Sequence, residues 1–202
     1  IDIPTYGVGN LIARDVDGDG DPDLLATNRT TDELLVIENL GDGIYATTPV
    51  AFATSGDPIS LGSIDLHPAD GVVDYVAVAC NGSGSVQLFR NTSGTGLRTI
   101  GFVLDDEVPG LDDPIDIDPI DENEDKDIKL LVTLGSTSEV VMLGGQVARA
   151  GTSSLAELLR VDVGSGPTSI VTGLLDGDGL YDVVTTNPGD GTISVLVNDT
   201  TD

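Results

Sequence analysis

Short apolar segments recur along the chain, and each is bounded by residues that favour turns. The chain contains four pairs of such segments, rich in apolar and β-branched residues. Within each pair, Gly, Asn and Ser separate the two segments. The first segments cover residues 24–27, 75–80, 128–133 and 183–186, and the second cover residues 34–37, 86–89, 140–143 and 193–197. Short strands with regular turn signals predict an all-β fold. Residues 154–157 (Ser-Leu-Ala-Glu) are an exception, because they fit a capping box and predict one helical turn.

An acidic loop precedes the first segment of each pair. Each loop ends in an aspartate, and the four final aspartates are Asp23, Asp74, Asp127 and Asp182. Successive members are 51, 53 and 55 residues apart, which identifies a repeat. Each unit also has an extended segment before its loop, and the first three units close with a less regular segment. Four strands in a repeat of about 50 residues are typical of a β-propeller blade.

The sequence therefore predicts a single propeller domain over residues 1–202, with four blades of four antiparallel strands. The blade units cover residues 10–55, 56–110, 111–164 and 165–202. The fourth unit lacks an outer strand, whereas residues 1–3 (Ile-Asp-Ile) match residues 161–163 (Val-Asp-Val), which lead into the fourth unit. We expect residues 1–3 to complete the fourth blade, because closing the ring leaves no unpaired strand edge. This favours a monomer. The same pairing between two chains would give a homodimer with a larger, eight-bladed ring, and a piece of a longer ring is the third possibility.

The composition indicates a packed fold and excludes some classes of binding partner. The chain has 8 Lys and Arg against 35 Asp and Glu, a formal charge of −27, yet 39% of its residues are apolar, which favours a packed fold over disorder. With so few bases, we expect no binding to nucleic acid or anionic membranes. No stretch approaches the roughly 20 apolar residues of a membrane span, so no membrane insertion is expected. The lone Cys80 is predicted to be a small buried residue.

The first acidic loop is the strongest candidate for a binding site. Residues 15–23 contain five aspartates and no base, and Gly20 stands where the chain must turn sharply. Crowded carboxylates repel one another, so the loop needs a cation. A flexible loop of oxygen ligands suits Ca²⁺ better than Mg²⁺, which demands a small octahedron. The start resembles an EF-hand, but the apolar run after the loop predicts that a strand follows instead of a helix. The side-chain candidates are Asp15, Asp17, Asp19 and Asp23.

The other three loops offer weaker sets of ligands. In the fourth loop, Leu174 replaces the first aspartate, so we expect it to bind Ca²⁺ less tightly than the first. The third loop lacks the turning glycine, and the second has Pro68 where a ligand belongs. The second loop fits a solvated turn at least as well as a metal site, and His67 within it is expected at the surface or in packing. The candidates are Asp176, Asp178 and Asp182 in the fourth loop, Asp118, Asp121, Asn123 and Asp127 in the third, and Asp65, Asp70 and Asp74 in the second.

Three short sequence motifs in and just before the fourth unit resemble those of a known family. Residues 164–170, 176–184 and 193–198 together resemble an FG-GAP repeat of the bacterial VCBS type. The resemblance implies an integrin-α-like propeller, with Ca²⁺ in the loop between the first two strands of a blade, in a secreted or cell-surface protein. It also implies that Asp21 provides a main-chain carbonyl ligand, and Leu180 holds the matching position in the fourth loop. The family's rings usually have seven blades, so four units are a departure.

These observations favour an extracellular, Ca²⁺-stabilised propeller that acts in adhesion, as a scaffold or as a protein-interaction module, with a protein or glycan ligand. The alternative is a calcium-dependent carbohydrate-binding module, or an accessory domain of a polysaccharide-active enzyme. Sugar sites favour aromatic platforms, and the chain has no Trp, 4 Tyr and 3 Phe, so this alternative ranks second. The chain is predicted not to be an enzyme, because the repeated loops already use the aspartates and a single His disfavours most nucleophile–His pairs.

Overall fold

The computed structural model describes residues 7–94, 99–120, 127–146 and 153–199. Within these ranges the chain forms fifteen strands and no helix. Every hydrogen-bonded pair of strands is antiparallel, and each sheet is built from consecutive strands in chain order. Short connections between neighbouring strands account for this order, because antiparallel strands need only a tight turn.

Four sheets follow one another along the chain. The first contains β1 (Val8–Arg14), β2 (Asp23–Asn28), β3 (Glu33–Ile37) and β4 (Val50–Ala53). The second contains β5 (Pro58–Ile64), β6 (Tyr75–Cys80), β7 (Ser85–Asn91) and β8 (Phe102–Pro109). The third contains β9 (Pro114–Ile120), β10 (Asp127–Leu134), β11 (Glu139–Gln146) and β12 (Ser154–Asp162). The fourth contains β13 (Ser169–Gly173), β14 (Asp182–Asn187) and β15 (Thr192–Leu196).

Apolar side chains between successive sheets form the core. One cluster joins the first sheet to the second through residues such as Leu25 and Val78. A second joins the second sheet to the third, and a third cluster joins the third sheet to the fourth. The second strands of the inner sheets pack on both faces, which explains why residues 75–80 are all buried and read as a continuous apolar run.

The first strand of each sheet lies next to the first strand of the following sheet. A chain of hydrogen bonds crosses all four of these strands. Asn10 Nδ2 donates to Ser60 Oγ at 3.1 Å, and Ser60 Oγ donates to Asp116 Oδ1 at 2.7 Å. The Ile170 N–H then donates to Asp116 Oδ2 at 3.0 Å. The four sheets therefore share one inner edge, as the blades of a propeller do.

The predicted all-β architecture of successive antiparallel sheets is confirmed, but one local prediction is wrong. Residues 154–157 begin strand β12 and form no helical turn. In the register of the third sheet, Leu155 pairs with Gly145 and Glu157 pairs with Leu143. Leu155 is also buried in the cluster between the second and third sheets, so packing and ladder hydrogen bonds override the capping signal. The outer strand predicted at residues 1–3 lies outside the described residues.

Candidate metal centre

The first acidic loop joins β1 to β2 and is anchored at both ends. Asp15 follows directly after β1, and Asp23 is the first residue of β2. The side chain of Val16 is fully buried in the cluster between the first and second sheets. Its N–H donates to Asp23 Oδ2 at 3.0 Å, which ties the start of the loop to its end. This hydrogen bond closes the loop without an ion.

Backbone donors position the carboxylates inside this loop. The Gly18 and Gly20 N–H groups donate to the two oxygens of Asp15 at 2.7 and 2.9 Å. The Asp19 N–H donates to Asp17 Oδ1 at 3.2 Å, and the Asp21 N–H donates to Asp19 Oδ1 at 2.9 Å. Gly20 has a φ of 91°, a conformation that side chains rarely adopt, so the sharp turn explains the glycine at that position.

Three carboxylates of the loop are close enough to share one ion. One oxygen each from Asp15, Asp17 and Asp19 lies within 4.8 Å of the other two. Because Ca²⁺–oxygen distances are about 2.3–2.6 Å, two ligands of one Ca²⁺ lie at most about 5.2 Å apart. These donors are all hard oxygens, which is the ligand type that Ca²⁺ prefers. The residues present therefore fit this ion.

Burial makes the negative charge of the loop costly. Asp17 is 1% exposed and Asp23 is 0% exposed. Burial raises the pKa of Asp23 to about 6, although N–H donors from Asn39 and Val16 oppose the rise. The nearby carboxylates of Asp17 and Asp15 raise this pKa further. A bound divalent cation would supply the positive charge that favours the ionised form.

The fourth loop, between β13 and β14, repeats four hydrogen bonds of the first. The Leu175 and Asn198 N–H groups donate to the two oxygens of Asp182 at 2.9 Å each, as those of Val16 and Asn39 do to Asp23. These donors lower the pKa of Asp182. The loop interior is repeated as well: the Asp178 N–H donates to Asp176 Oδ1 at 3.1 Å, and the Leu180 N–H donates to Asp178 Oδ1 at 2.8 Å. Exposed Leu174 stands where the first loop has Asp15.

The second loop, between β5 and β6, keeps one of these bonds and adds a histidine. The Leu66 N–H donates to Asp74 Oδ2 at 2.7 Å, as the Val16 N–H does to Asp23. His67 Nδ1 lies 3.1 Å from Asp74 Oδ2, so the imidazole contacts the final aspartate of its own loop. The Asp65 and Asp70 carboxylates accept the N–H groups of residues 67 and 72. Asp74 thus has an imidazole nitrogen as a partner in addition to the Leu66 N–H.

Strand β9 extends into the segment that the sequence assigns to the third loop. Asp118, expected as its first ligand, lies within strand β9 and pairs in register with Leu131. The Asp118 Oδ2 atom accepts the N–H of Thr172 at 2.7 Å, a contact with the innermost strand of the fourth sheet. Asp127 is the first residue of β10, as Asp23 is of β2. Asp121 and Asn123 lie outside the described residues.

Sequence reasoning missed one side chain that joins two loops. Asn91 Nδ2 donates to the carbonyl oxygens of Val16, at 2.7 Å, and Val73, at 2.8 Å. The Val73 N–H in turn donates to the Asp15 carbonyl at 3.1 Å. The first and second loops are therefore fastened together across two sheets. Asn91 ends β7, 75 residues from Val16, and no local pattern signals that distant contact.

A cavity of about 410 Å³ opens between the inner strands of the first three sheets, beside the loops. Its lining includes Arg14 and three of the predicted ligand residues, Asp65, Asp118 and Asp127. The remaining lining is mainly apolar and includes Leu61 and Ile117. The carboxylates give this end of the shared inner edge a negative surface, which favours cationic groups.

Solved structures of similar shape identify the fold. No family model and no curated protein sequence matches this chain. BBS1N, crystallised in complex with ARL6DN, matches with a TM-score of 0.56 and 18% identity over 98% of this chain and 58% of its own. A candidate 6-phosphogluconolactonase from Bacteroides uniformis matches with a TM-score of 0.61 and 15% identity over 95% of this chain and 51% of its own. The periplasmic gluconolactonase PpgL of Pseudomonas aeruginosa matches with a TM-score of 0.55 and 16% identity over 94% and 53%.

The chain is thus a β-propeller in fold, and it spans a little more than half the length of each of these structures. At such low identity, the likeness establishes the fold alone. Within the described ranges, no helix is long and apolar enough to cross a membrane.

We predicted that the chain is not an enzyme, and that exclusion is wrong. Two of the matching structures are named as lactonases, so chains with this arrangement of sheets include enzymes. The single His and the use of aspartates in repeated loops are therefore no ground for excluding catalysis.

Proposed function

We propose that this chain is a calcium-binding, extracellular β-propeller of the FG-GAP or VCBS type, which presents an interaction surface for adhesion or as a scaffold. In this proposal residues 1–202 form one domain, and Ca²⁺ holds the loops at one end of the sheets. The resemblance of residues 164–198 to such repeats supports the assignment, as does the propeller fold.

One observation carries the calcium proposal. The first loop brings oxygens of three aspartates within 4.8 Å of one another, and the fourth loop repeats four of its hydrogen bonds. A turn that served only to reverse the chain would not require the same carboxylates at the same positions in two loops 159 residues apart. Asp-Gly pairs are common in turns, but a repeated pattern of alternating aspartates is more specific.

The four loops would contribute unequally. In the first loop, Asp15, Asp17, Asp19 and Asp23 provide carboxylate oxygens and Asp21 a main-chain carbonyl. In the fourth loop, Asp176, Asp178 and Asp182 take the corresponding roles, Leu180 provides the carbonyl, and water completes the site beside Leu174. The second loop binds least, because His67 already contacts Asp74. Affinity in such loops follows the number of charged ligands and the rigidity of the loop.

The ion would act by stabilising the native arrangement of loops. The unfolded chain has no formed site, so the binding free energy adds to the stability of the folded state. The Val16 side chain links the first loop to the core, and the Asn91 amide links that loop to the second sheet. Bound Ca²⁺ would therefore fix the end of the propeller on which a partner docks. Extracellular modules bind Ca²⁺ with a Kd of about 10⁻⁴–10⁻³ M, which suits the surroundings proposed here.

Calorimetric titration of the purified chain with CaCl₂, and separately with MgCl₂, tests the proposal. We expect Ca²⁺ to bind at one tight and at least one weaker site, and Mg²⁺ to bind more weakly. Asp19→Ala should abolish the tight phase. Asp112→Ala, which removes an exposed aspartate outside the loops, should leave the titration unchanged. A wild-type chain that takes up no Ca²⁺ at millimolar concentrations would remove the proposed role.

A further inference from the structure

A cavity of about 410 Å³ lies between the inner strands β1, β5 and β9, beside the acidic loops. We call it the inner cavity. Its lining is mainly apolar and includes Leu61 and Ile117, which are 3% and 5% exposed. A cavity of this size, with apolar walls and a few polar groups, is the usual form of a small-molecule site. Neither the first nor the fourth loop contributes to this lining, so Ca²⁺ bound in those loops would not occupy the inner cavity.

Close packing of the second and third sheets fixes the shape of the inner cavity. A Cβ atom at Gly62 would lie 2.5 Å from the Cγ and Cδ atoms of Pro119, so only glycine allows this approach. Both residues line the cavity. Leu61 belongs to the apolar cluster between the first two sheets, and Ile117 belongs to the cluster between the second and third. Packed strands therefore form the walls, and a site on strands is positioned more precisely than one on loops.

Arg14 gives the inner cavity a positive charge. It is the last residue of β1 and lines the cavity. Its Nη1 atom donates to the Ala13 carbonyl at 2.8 Å, and no ion pair among the described residues includes this guanidinium. A guanidinium has five N–H donors in a planar fork that matches a carboxylate. Arg14 can therefore bind an anionic group of a ligand through donors that the Ala13 carbonyl does not use.

Asp118 gives the same cavity a negative charge. Its Oδ2 atom accepts the N–H of Thr172 at 2.7 Å, which fixes the carboxylate against the fourth sheet. Within the described part of the chain no hydrogen bond reaches Asp118 Oδ1, so this oxygen can accept from an ammonium group. Asp65 and Asp127 also line the cavity and add to its negative charge, which attracts cations. The inner cavity thus presents both a donor for an anionic group and an acceptor for a cationic one.

We propose that the inner cavity binds a small zwitterion of the α-amino acid class, with an aliphatic side chain. Arg14 binds the carboxylate of this ligand, and Asp118 accepts from its ammonium group. Leu61 and Ile117 contact its side chain. A simple anion would leave Asp118 Oδ1 without a donor, and a simple cation would leave the Arg14 guanidinium without an acceptor. One ligand that carries both charges satisfies both groups, and charge-assisted hydrogen bonds of this kind are strong. This site uses the inner strands alone and is independent of Ca²⁺.

Calorimetric titration of the full chain with L-leucine tests the proposal against two analogues. The first, 3-methylbutylamine, lacks the carboxylate, and the second, 4-methylpentanoate, lacks the ammonium group. We expect leucine to bind at a single site and each analogue to bind at least about tenfold more weakly. Arg14→Gln and Asp118→Asn should each weaken leucine binding by a similar factor. Arg29→Gln and Asp112→Asn are the matched controls, because they make the same changes outside the cavity and should leave the affinity unchanged. A wild-type chain that takes up no leucine at millimolar concentrations, or that binds an analogue as tightly as leucine, would overturn the proposal.

Arg14→Lys keeps the test informative if Asp118→Asn does not fold, because Arg14 is exposed. Lysine retains the positive charge but lacks the planar fork. This variant should therefore bind leucine more tightly than Arg14→Gln and less tightly than the wild-type chain. Equal leucine affinity in these three chains would remove Arg14 from the site and contradict the proposal.

A leucine titration in EGTA separates this site from the calcium sites. The affinity for leucine should be unchanged, because packed strands form the inner cavity without the first and fourth loops. Loss of leucine binding in EGTA would show that the ligand contacts bound Ca²⁺ instead of Arg14 and Asp118, and it would overturn the assignment. Absence of Ca²⁺ binding with leucine binding intact would remove the calcium proposal alone.

Discussion

Ser60 Oγ donates a hydrogen bond to Asp116 Oδ1 at 2.7 Å, which joins the innermost strand of the second sheet to that of the third. The same carboxylate accepts the N–H of Ile170 in the fourth sheet, and Ser60 accepts from Asn10 in the first. One aspartate therefore connects the inner edges of three sheets, and a serine extends the connection to all four. This polar chain runs along the shared inner edge.

Replacing Asp116 should destabilise the whole array. Asp116→Ala leaves the Ile170 N–H and the Ser60 hydroxyl without their acceptor, and each such loss in a partly buried site costs about 1–3 kcal/mol. Urea unfolding should show a reduced free energy of unfolding with one cooperative transition. Asp112→Ala is the control, because that side chain is exposed. Equal stability of the two variants would show that the inner hydrogen bonds contribute nothing measurable.

Calcium should raise the melting temperature, chiefly through the first loop. Ca²⁺ at about 100 times its Kd adds about 2.7 kcal/mol per site. For a chain of about 200 residues this corresponds to a rise of roughly 5–10 °C, measurable by calorimetry. Asp19→Ala should remove most of the rise, and Asp178→Ala should remove less, because the fourth loop has one carboxylate fewer. The calcium proposal fails if EGTA leaves the wild-type melting temperature unchanged.

A single substitution should improve the fourth loop. Leu174→Asp places a carboxylate where the first loop has Asp15, whose oxygens accept from Gly18 and Gly20. The glycines at positions 177 and 179 have φ values of 85° and 90°, close to those of Gly18 and Gly20, so the backbone already has the required turn. We expect roughly tenfold tighter Ca²⁺ binding in the weaker phase of the titration. Leu174→Asn adds a neutral oxygen and should improve binding less. Identical weak-phase affinities in all three chains would contradict the assignment of this position.

Asn91 should couple the first loop to the second sheet. Asn91→Ala removes the donor to the carbonyls of Val16 and Val73, so the free energy of unfolding should fall by about 1–3 kcal/mol. Because the Val16 carbonyl lies within the first loop, Ca²⁺ affinity should fall as well. Asn91→Asp removes the amide donor but keeps the size, and it should fail to rescue either property. Unchanged Ca²⁺ affinity in both variants would show that the Asn91 amide does not influence the first loop.

The pair of Arg29 and Asp57 should give a defined pH dependence. The Arg29 guanidinium donates to both Asp57 oxygens at 2.6 and 2.9 Å, and these hydrogen bonds lower the pKa of Asp57 from 3.8. A lowered pKa in the folded state gives stability that is present above pH 3.8 and is lost as the pH falls through the folded value. Arg29→Gln should lower the free energy of unfolding by about 0.2–1 kcal/mol at pH 7, because the pair is largely exposed. The difference should vanish once the pH falls below the pKa of Asp57 in the folded protein.

The control for this pair is Arg14→Gln, because the Arg14 guanidinium donates to the Ala13 carbonyl and the same positive charge is removed. Thermal unfolding from pH 7 to pH 3 measures both differences. A cost of Arg29→Gln that stays constant across this range would show that Asp57 is not the partner responsible.

The sequence predicted the parts of this protein that depend on near neighbours. The antiparallel strands and the turns of the first and fourth loops follow from spacings of two to five residues, and the four repeats follow from final aspartates that recur every 51 to 55 residues. The Asp17–Asp19 and Asp176–Asp178 contacts are of this kind, because alternating aspartates accept the N–H two residues ahead. Their matching geometry therefore follows from the order of residues alone.

Contacts between sheets were decided only by the tertiary structure. Residues 154–157 became a strand because the edge of β11 and the core beside Leu155 outweigh a local capping signal. Asp118 bonds to Thr172, 54 residues away, and Asn91 bonds to Val16, 75 residues away, so neither contact has a spacing in the chain that could predict it. Local hydrogen bonds are specified by the order of residues, whereas these depend on which sheets the buried apolar faces bring together.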